Sequence, residues 1–166
     1  MDCELAQLAA RLGEALIARG WMLATAESCT GGGIAVAVTS VAGSSGWFER
    51  GFVTYSNESK VELLGVSPAT LARHGAVSEE TAIEMTAGAL AHSHADIALA
   101  ITGIAGPDGG SPGKPVGTIC LGWQPRHGNV FVETRHFSGD REAVRRQAVT
   151  AALERLIALA ADIAIG

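Results

Sequence analysis

The chain has 166 residues, of which 48% are hydrophobic, so it can form one domain with a substantial core. Its formal net charge is −5, from 12 basic and 17 acidic residues, and no dense basic face is evident. This composition argues against a nucleic-acid-binding or membrane-surface protein, and we expect neither nucleic acid nor a membrane as a partner.

The cysteines and the apolar runs bear on the compartment. The chain has three cysteines, Cys3, Cys29 and Cys120. Their odd number, their wide spacing and the lack of a CxxC pair argue against a disulfide framework and a zinc site. No signal peptide is evident, and no apolar run is long enough to span a bilayer. We therefore expect a cytoplasmic protein that holds no metal and needs no cofactor.

Apolar periodicity and turn residues predict alternating helices and strands in the first half of the chain. Leucines at helical spacing, followed by Gly20, predict an opening helix over Cys3–Arg19. The next predicted elements are a strand at Met22–Thr25, a helix at Thr30–Ser40, a strand at Phe48–Tyr55, a helix capped by Ser56 or Asn57 that ends near Leu64, and a short helix from Pro68 to Gly75.

The second half predicts a helix, three strands and a closing helix. These are a helix from Ser78 to Ser93, strands at Ile97–Thr102, Thr118–Trp123 and Val130–Phe137, and a helix that Asp140 caps and that runs to about Ile163. A single domain, 1–166, follows from this order. We expect a three-layer α/β/α sandwich with a mixed sheet of about five strands. The apolar helices also favour a homo-oligomer.

The segment Ala26–Gly33 places two candidate nucleophiles, Ser28 and Cys29, between a strand and a helix. A helix start carries unsatisfied N–H groups that can stabilise an oxyanion. Spacing alone is equally consistent with Ser28 as a helix cap and Cys29 as a small buried residue. Glu27 either orients the neighbours of the nucleophile or pairs with a basic residue. The expected oxyanion donors are Thr30, Gly31 and Gly32.

Lys60 is the candidate base. If Asn57 caps the helix, Lys60 lies in the first turn, where the helix dipole disfavours a cation. That effect and burial would lower the pKa of the lysine, so that a neutral amine could take a proton from serine. A solvated helix lysine is the simpler interpretation. Tyr55 would lie close enough to orient the lysine or to relay a proton.

A long loop and an arginine pair are candidates for ligand binding. The loop Gly103–Gly117 follows a buried strand, so we expect ligand contacts near Thr102, Gly103 and Gly106. Asp108 fits a turn residue better than a metal ligand. The pair, Arg141 and Arg145, share a helix face and either hold an anion such as a phosphate or are balanced by nearby acids.

Five blocks in order resemble the CinA C-terminal domain family over nearly the whole chain. They are Thr25–Gly32, Gly51–Asn57, Gly75–Ser78, Gly103–Gly110 and Phe137–Arg141. The resemblance is to the stand-alone form, so we expect no molybdopterin-binding-like domain.

The resemblance implies hydrolysis of nicotinamide mononucleotide to nicotinate mononucleotide and ammonia, in bacterial pyridine-nucleotide recycling. It assigns a serine nucleophile to Ser28 and a lysine partner to Lys60, with Tyr55 close by. The substrate, a small-molecule nucleotide, is then expected to contact Glu27, Thr30, Gly31, Gly32, Asn57, Thr102, Gly103, Gly106, Arg141 and Arg145. Two alternatives are a non-catalytic nucleotide-binding regulatory module linked to competence, and a metal-dependent phosphohydrolase, for which no carboxylate cluster is evident.

Overall fold

A computed structural model describes residues 2–162 of the chain. The strands are β1 (Leu23–Glu27), β2 (Phe48–Val53), β3 (Ile97–Gly103), β4 (Thr118–Pro125) and β5 (Phe131–His136). The helices are α1 (Cys3–Arg19), α2 (Gly33–Thr39), α3 (Asn57–Leu64), α4 (Pro68–His74), α5 (Glu79–Ala91) and α6 (Arg141–Asp162), with a 3₁₀ turn at Ser44–Gly46. The predicted end of the last helix, Ile163, lies outside the described residues.

The five strands form one mixed sheet in the order β2-β1-β3-β4-β5. The first three are parallel, since β1 pairs in parallel with both β2 and β3, whereas β3, β4 and β5 pair antiparallel. The prediction of an α/β sandwich with a mixed five-stranded sheet is confirmed.

Alternating side chains along the central strands separate two cores. On β3, Ile97, Leu99 and Ile101 face the layer made by α1, α2 and α6. Ala98 and Ala100 of the same strand face α5, with α3 and α4 packed outside it. Large aliphatic residues therefore fill one side of the sheet, while small residues let α5 approach the other side closely.

The parallel strands bring three chain segments to one edge of the sheet. Strands β1, β2 and β3 end there at Glu27, Val53 and Gly103. The chain leaves β1 through α2 on one face and leaves β2 through α3, α4 and α5 on the other. This reversal occurs at the end of β1, and such a switch point is where α/β sheets bind ligands.

Two predicted bounds differ from the structure near this edge. Helix α2 begins at Gly33 and not at Thr30, because Gly31 and Gly32 adopt left-handed φ angles of +58° and +98°. Strand β2 ends two residues before Tyr55, which lies in the connection to α3. Over residues 2–162, no helix combines the length and apolar character needed to cross a bilayer.

Candidate active site

The side chains of Ser28 and Lys60 meet at the edge where the parallel strands end. Lys60 Nζ lies 2.9 Å from Ser28 Oγ, and it also donates to the Thr54 carbonyl oxygen at 2.9 Å. Ser28 is 7% exposed and Lys60 is 1% exposed. Three elements build this arrangement, because Ser28 follows β1, Thr54 follows β2 and Lys60 lies on α3.

Burial lowers the pKa of Lys60 below its usual value, because an ammonium group loses its hydration there. The residue that caps helix α3 differs from the one on which the prediction for Lys60 depended. Ser56 and not Asn57 is the cap of α3, and it exchanges capping hydrogen bonds with Ser59. Lys60 is therefore the fourth residue of the helix, and its neutral form is favoured by desolvation.

Burial also favours the neutral form of the Cys29 side chain. It raises the pKa of the Cys29 thiol to about 12, because a thiolate would be poorly solvated at that position. A thiol that keeps its proton is a weak nucleophile. The hydroxyl of Ser28, which contacts a base, is the better-placed nucleophile of the two.

Glu27 holds the start of α2 and does not line the site. Its buried carboxylate accepts hydrogen bonds from Thr30 Oγ1 at 2.6 Å, from the Ile34 N–H at 2.8 Å and from the Ala35 N–H at 3.0 Å. A carboxylate is favourable at a helix N-terminus. Its oxygens are therefore bonded to the start of the helix, and contact of Glu27 with the substrate stays a prediction.

One of the three N–H groups predicted as oxyanion donors already has a backbone partner. The Gly31 N–H donates to the Ser28 carbonyl at 3.0 Å. Thr30, Gly31 and Gly32 do not line the cavity around Ser28, and their contact with the substrate stays a prediction. Cys29 does line it, and in residues 2–162 its N–H donates to no backbone carbonyl. The N–H groups of Thr30 and Gly32 also donate to no backbone carbonyl in these residues, so Cys29 is distinguished by lining the cavity.

A cavity of about 270 Å³ opens over Ser28 and Lys60. It holds the predicted residues Ser28, Tyr55, Asn57, Lys60, Thr102, Gly103, Gly106 and Arg141. Sequence reasoning missed Ala76, Val77 and Asp108, which also line it. The first two lie in the connection between α4 and α5, where Ala76 O accepts from Thr102 Oγ1 at 2.9 Å. Their signal was the block Gly75–Ser78, to which no role was given.

Arg141 joins two segments at the mouth of the cavity. Its guanidinium donates to the Gly106 carbonyl at 2.8 Å and to the Tyr55 hydroxyl at 3.0 Å. Tyr55 is 61% exposed, and its hydroxyl bonds to Arg141 and not to Lys60. The expectation that Tyr55 orients the lysine directly is therefore not met. Its contact with Arg141 instead places both side chains at the entrance.

Arg145 supports the nucleophile turn from behind. It donates to the carbonyl oxygens of Cys29 at 3.2 Å and Thr30 at 3.1 Å, and it does not line the cavity. Helix α6 thus directs the Arg145 guanidinium to this turn, and its contact with the substrate stays a prediction. Within residues 2–162, no group of three or more His, Cys, Asp or Glu residues is arranged to hold a metal ion.

The CinA C-terminal domain family model matches residues 5–160. The chain belongs to this family. Among its members, nicotinamide-nucleotide amidohydrolase PncC of Escherichia coli K12 is 56% identical over 155 residues, covering 93% of this chain and 94% of the relative. The protein of the same name from Pseudomonas putida is 56% identical and covers 93% and 96%.

Solved structures of the family have the same fold. The competence/damage inducible protein of Agrobacterium tumefaciens superposes with a TM-score of 0.92 at 48% identity, covering 96% of this chain and 97% of that one. A CinA superfamily protein of Klebsiella pneumoniae superposes with a TM-score of 0.92 at 45% identity, covering 96% and 99%. The predicted resemblance to the CinA C-terminal domain family is confirmed.

Proposed function

We propose that this chain is an amidohydrolase that converts nicotinamide mononucleotide and water to nicotinate mononucleotide and ammonia, as a step of pyridine-nucleotide recycling. The names of its 56% identical relatives supply the reaction. The observation that carries the mechanism is the 2.9 Å contact between Lys60 Nζ and Ser28 Oγ inside a cavity. A buried amine of lowered pKa beside a hydroxyl is a base next to a nucleophile.

The first half of the reaction forms an ester. Ser28 Oγ attacks the carboxamide carbon while neutral Lys60 accepts the hydroxyl proton. The Cys29 N–H, next to the nucleophile in the chain, donates to the oxyanion that forms. When the tetrahedral intermediate collapses, the C–N bond breaks and Lys60 returns the proton to the departing nitrogen, which leaves as ammonia.

The second half hydrolyses the ester. Lys60 takes a proton from water, the resulting hydroxide attacks the ester carbon, and the proton returns to Ser28 Oγ as the C–O bond breaks. The carbonyl oxygen of Thr54 keeps Lys60 Nζ in place through both steps, because its 2.9 Å hydrogen bond does not depend on the substrate. The base and the acid are thus one group, and the chemistry uses no metal.

Arg141 is the phosphate-binding group in this proposal. Its guanidinium lies at the mouth of the cavity and, in residues 2–162, it bonds only to the uncharged acceptors Gly106 O and Tyr55 Oη. A guanidinium without a carboxylate partner is available to pair with a phosphate. Thr102, Gly103 and Asn57 line the same cavity as this arginine and Ser28.

Ammonia release tests the function. The purified chain is incubated with nicotinamide mononucleotide, nicotinamide riboside and free nicotinamide at equal concentrations. We expect rapid release from the mononucleotide and slower release from the two ligands that lack a phosphate. Binding of the mononucleotide without any ammonia would contradict the enzyme assignment and would favour the non-catalytic regulatory module.

A further inference from the structure

Few charged side chains line the cavity. Of its lining residues, only three carry titratable charged side chains, namely Lys60, Arg141 and Asp108. Lys60 lies in the interior with a lowered pKa and is the base. Of the other two, Arg141 supplies a positive charge at the mouth of the cavity, and Asp108 supplies the single carboxylate among the lining residues.

Asp108 and Arg141 line the same cavity without pairing with each other. Arg141 bonds to the carbonyl of Gly106, two residues before Asp108. No ion pair or hydrogen bond of the Asp108 carboxylate occurs within residues 2–162, although the Arg141 guanidinium is bonded to the same turn. An anion and a cation that line one cavity but stay apart leave room for a ligand that carries both charges.

The turn that carries Asp108 is held firmly. Gly106 and Gly109 on either side of it have left-handed φ angles of +84° and +88°. A side-chain carbon at Gly106 would lie 2.4 Å from Val116, and one at Gly109 would lie 3.3 Å from Ile104. These glycines and the bond to Arg141 thus constrain the backbone of the turn, from which the exposed Asp108 side chain lines the cavity.

We propose that Asp108 is a specificity-determining residue whose carboxylate pairs with the positively charged pyridinium ring of the substrate; this inference rests on the proposed function. The ring nitrogen of nicotinamide mononucleotide is quaternary, so the ligand carries a cation and a phosphate anion. Asp108 and Arg141 match those two charges. Free nicotinamide and the reduced dihydronicotinamide nucleotide have neutral rings and gain nothing from the carboxylate.

Ligand binding to the Ser28→Ala protein distinguishes the contribution of the ring charge from that of the phosphate. Calorimetry uses three ligands: the mononucleotide with both charges, nicotinamide riboside with the ring charge alone, and dihydronicotinamide mononucleotide with the phosphate alone. On this background, Asp108→Asn should raise Kd about fivefold for the first two, the scale of a partly exposed ion pair. It should leave Kd unchanged or lower for the dihydro ligand.

Two control variants test whether each charge acts on the part of the ligand assigned to it. Asp108→Glu keeps the charge and should preserve the preference for the oxidised ring, whereas Arg141→Gln should weaken both phosphate ligands and spare the riboside. Equal Kd changes for all three ligands in Asp108→Asn, or no change for any, would overturn the inference. Failure of the proposed function is a separate result, because it would appear as absence of ammonia release by the unmodified chain.

Discussion

At the residue scale, the proposed chemistry depends on one buried amine, that of Lys60. Replacing Lys60 with Met keeps the volume of the side chain and removes the base, so ammonia release should fall by about 10²–10⁴-fold. The substitution leaves the Thr54 carbonyl without its donor but also removes an amine that is costly to bury. Thermal unfolding should therefore show a folded protein.

The matched control is Lys114, the other lysine of the chain. It donates to the His74 carbonyl in a neighbouring cavity and does not line the site. Lys114→Met should retain ammonia release within about twofold, as surface substitutions away from a site usually do. Equal activity of the Lys60 and Lys114 variants would contradict the role given to Lys60.

The pH profile reports the protonation state of the same amine. Only neutral Lys60 can accept the serine proton, so kcat/KM should rise with pH through the pKa of this lysine and level off above it. Since burial lowers that pKa, the rise should lie below the 10.5 of an ordinary lysine. A kcat/KM that falls steadily as pH increases from 6 to 9 would contradict a neutral-lysine base.

Sequence reasoning proposed the two residues that meet in the cavity, but it did not predict how the neighbouring side chains are bonded. Ser28 and Lys60 could be proposed because a nucleophile and a base are recognisable residue types near helix starts. The roles of Glu27 and Arg145 depend on where a side chain turns in space. The Glu27 carboxylate accepts hydrogen bonds from the first turn of α2, and the Arg145 guanidinium reaches from α6 to the turn after Ser28. The spacing of residues in the sequence encodes neither side-chain direction. The Thr54 contact uses a backbone oxygen, for which no residue type gives a signal.

At the scale of elements, the position of α3 sets the position of Lys60. Helix α3 lies so close to α5 that a side-chain carbon at Gly88 would be 1.9 Å from the Leu64 carbonyl oxygen. Gly88→Ala should push the two helices apart, costing about 1–3 kcal/mol of unfolding free energy. Because α3 carries Lys60, kcat should fall as well.

The control for this prediction is Gly46→Ala. A side-chain carbon at Gly46 would meet nothing within 4 Å, and its φ is not left-handed. This variant should match the unmodified chain in denaturant unfolding and in kcat. If Gly88→Ala also unfolds and reacts normally, helix packing does not control the site.

The elements themselves were predictable, and their ends at the site were not. Amphipathic spacing and apolar runs gave all five strands and six helices within a few residues. The helix start after Ser28 was placed three residues early because the turn at Gly31 and Gly32 has no apolar pattern. Asp108 was interpreted as a turn residue, which is correct for its backbone but misses the cavity that its turn lines.

At the scale of the whole molecule, one sheet is shared by two cores. All three tryptophans lie in or against the core that contains α1, α2 and α6, while α3 and α5 lie on the other side. If the chain is one domain, tryptophan fluorescence and far-ultraviolet circular dichroism should follow the same thermal transition. Two separated transitions would show that the cores unfold independently. The homo-oligomer stays a prediction, for which light scattering is the measurement.

In the proposed mechanism, Ser28 is the nucleophile and Cys29 is its unreactive neighbour. The direct measurement is ammonia release from nicotinamide mononucleotide by Ser28→Ala and Cys29→Ala, with circular dichroism to verify folding. We predict that Ser28→Ala loses at least about 10³-fold of kcat, as enzymes do when a covalent nucleophile is removed, and that Cys29→Ala keeps most of it. Retained activity in folded Ser28→Ala would contradict the serine–lysine mechanism.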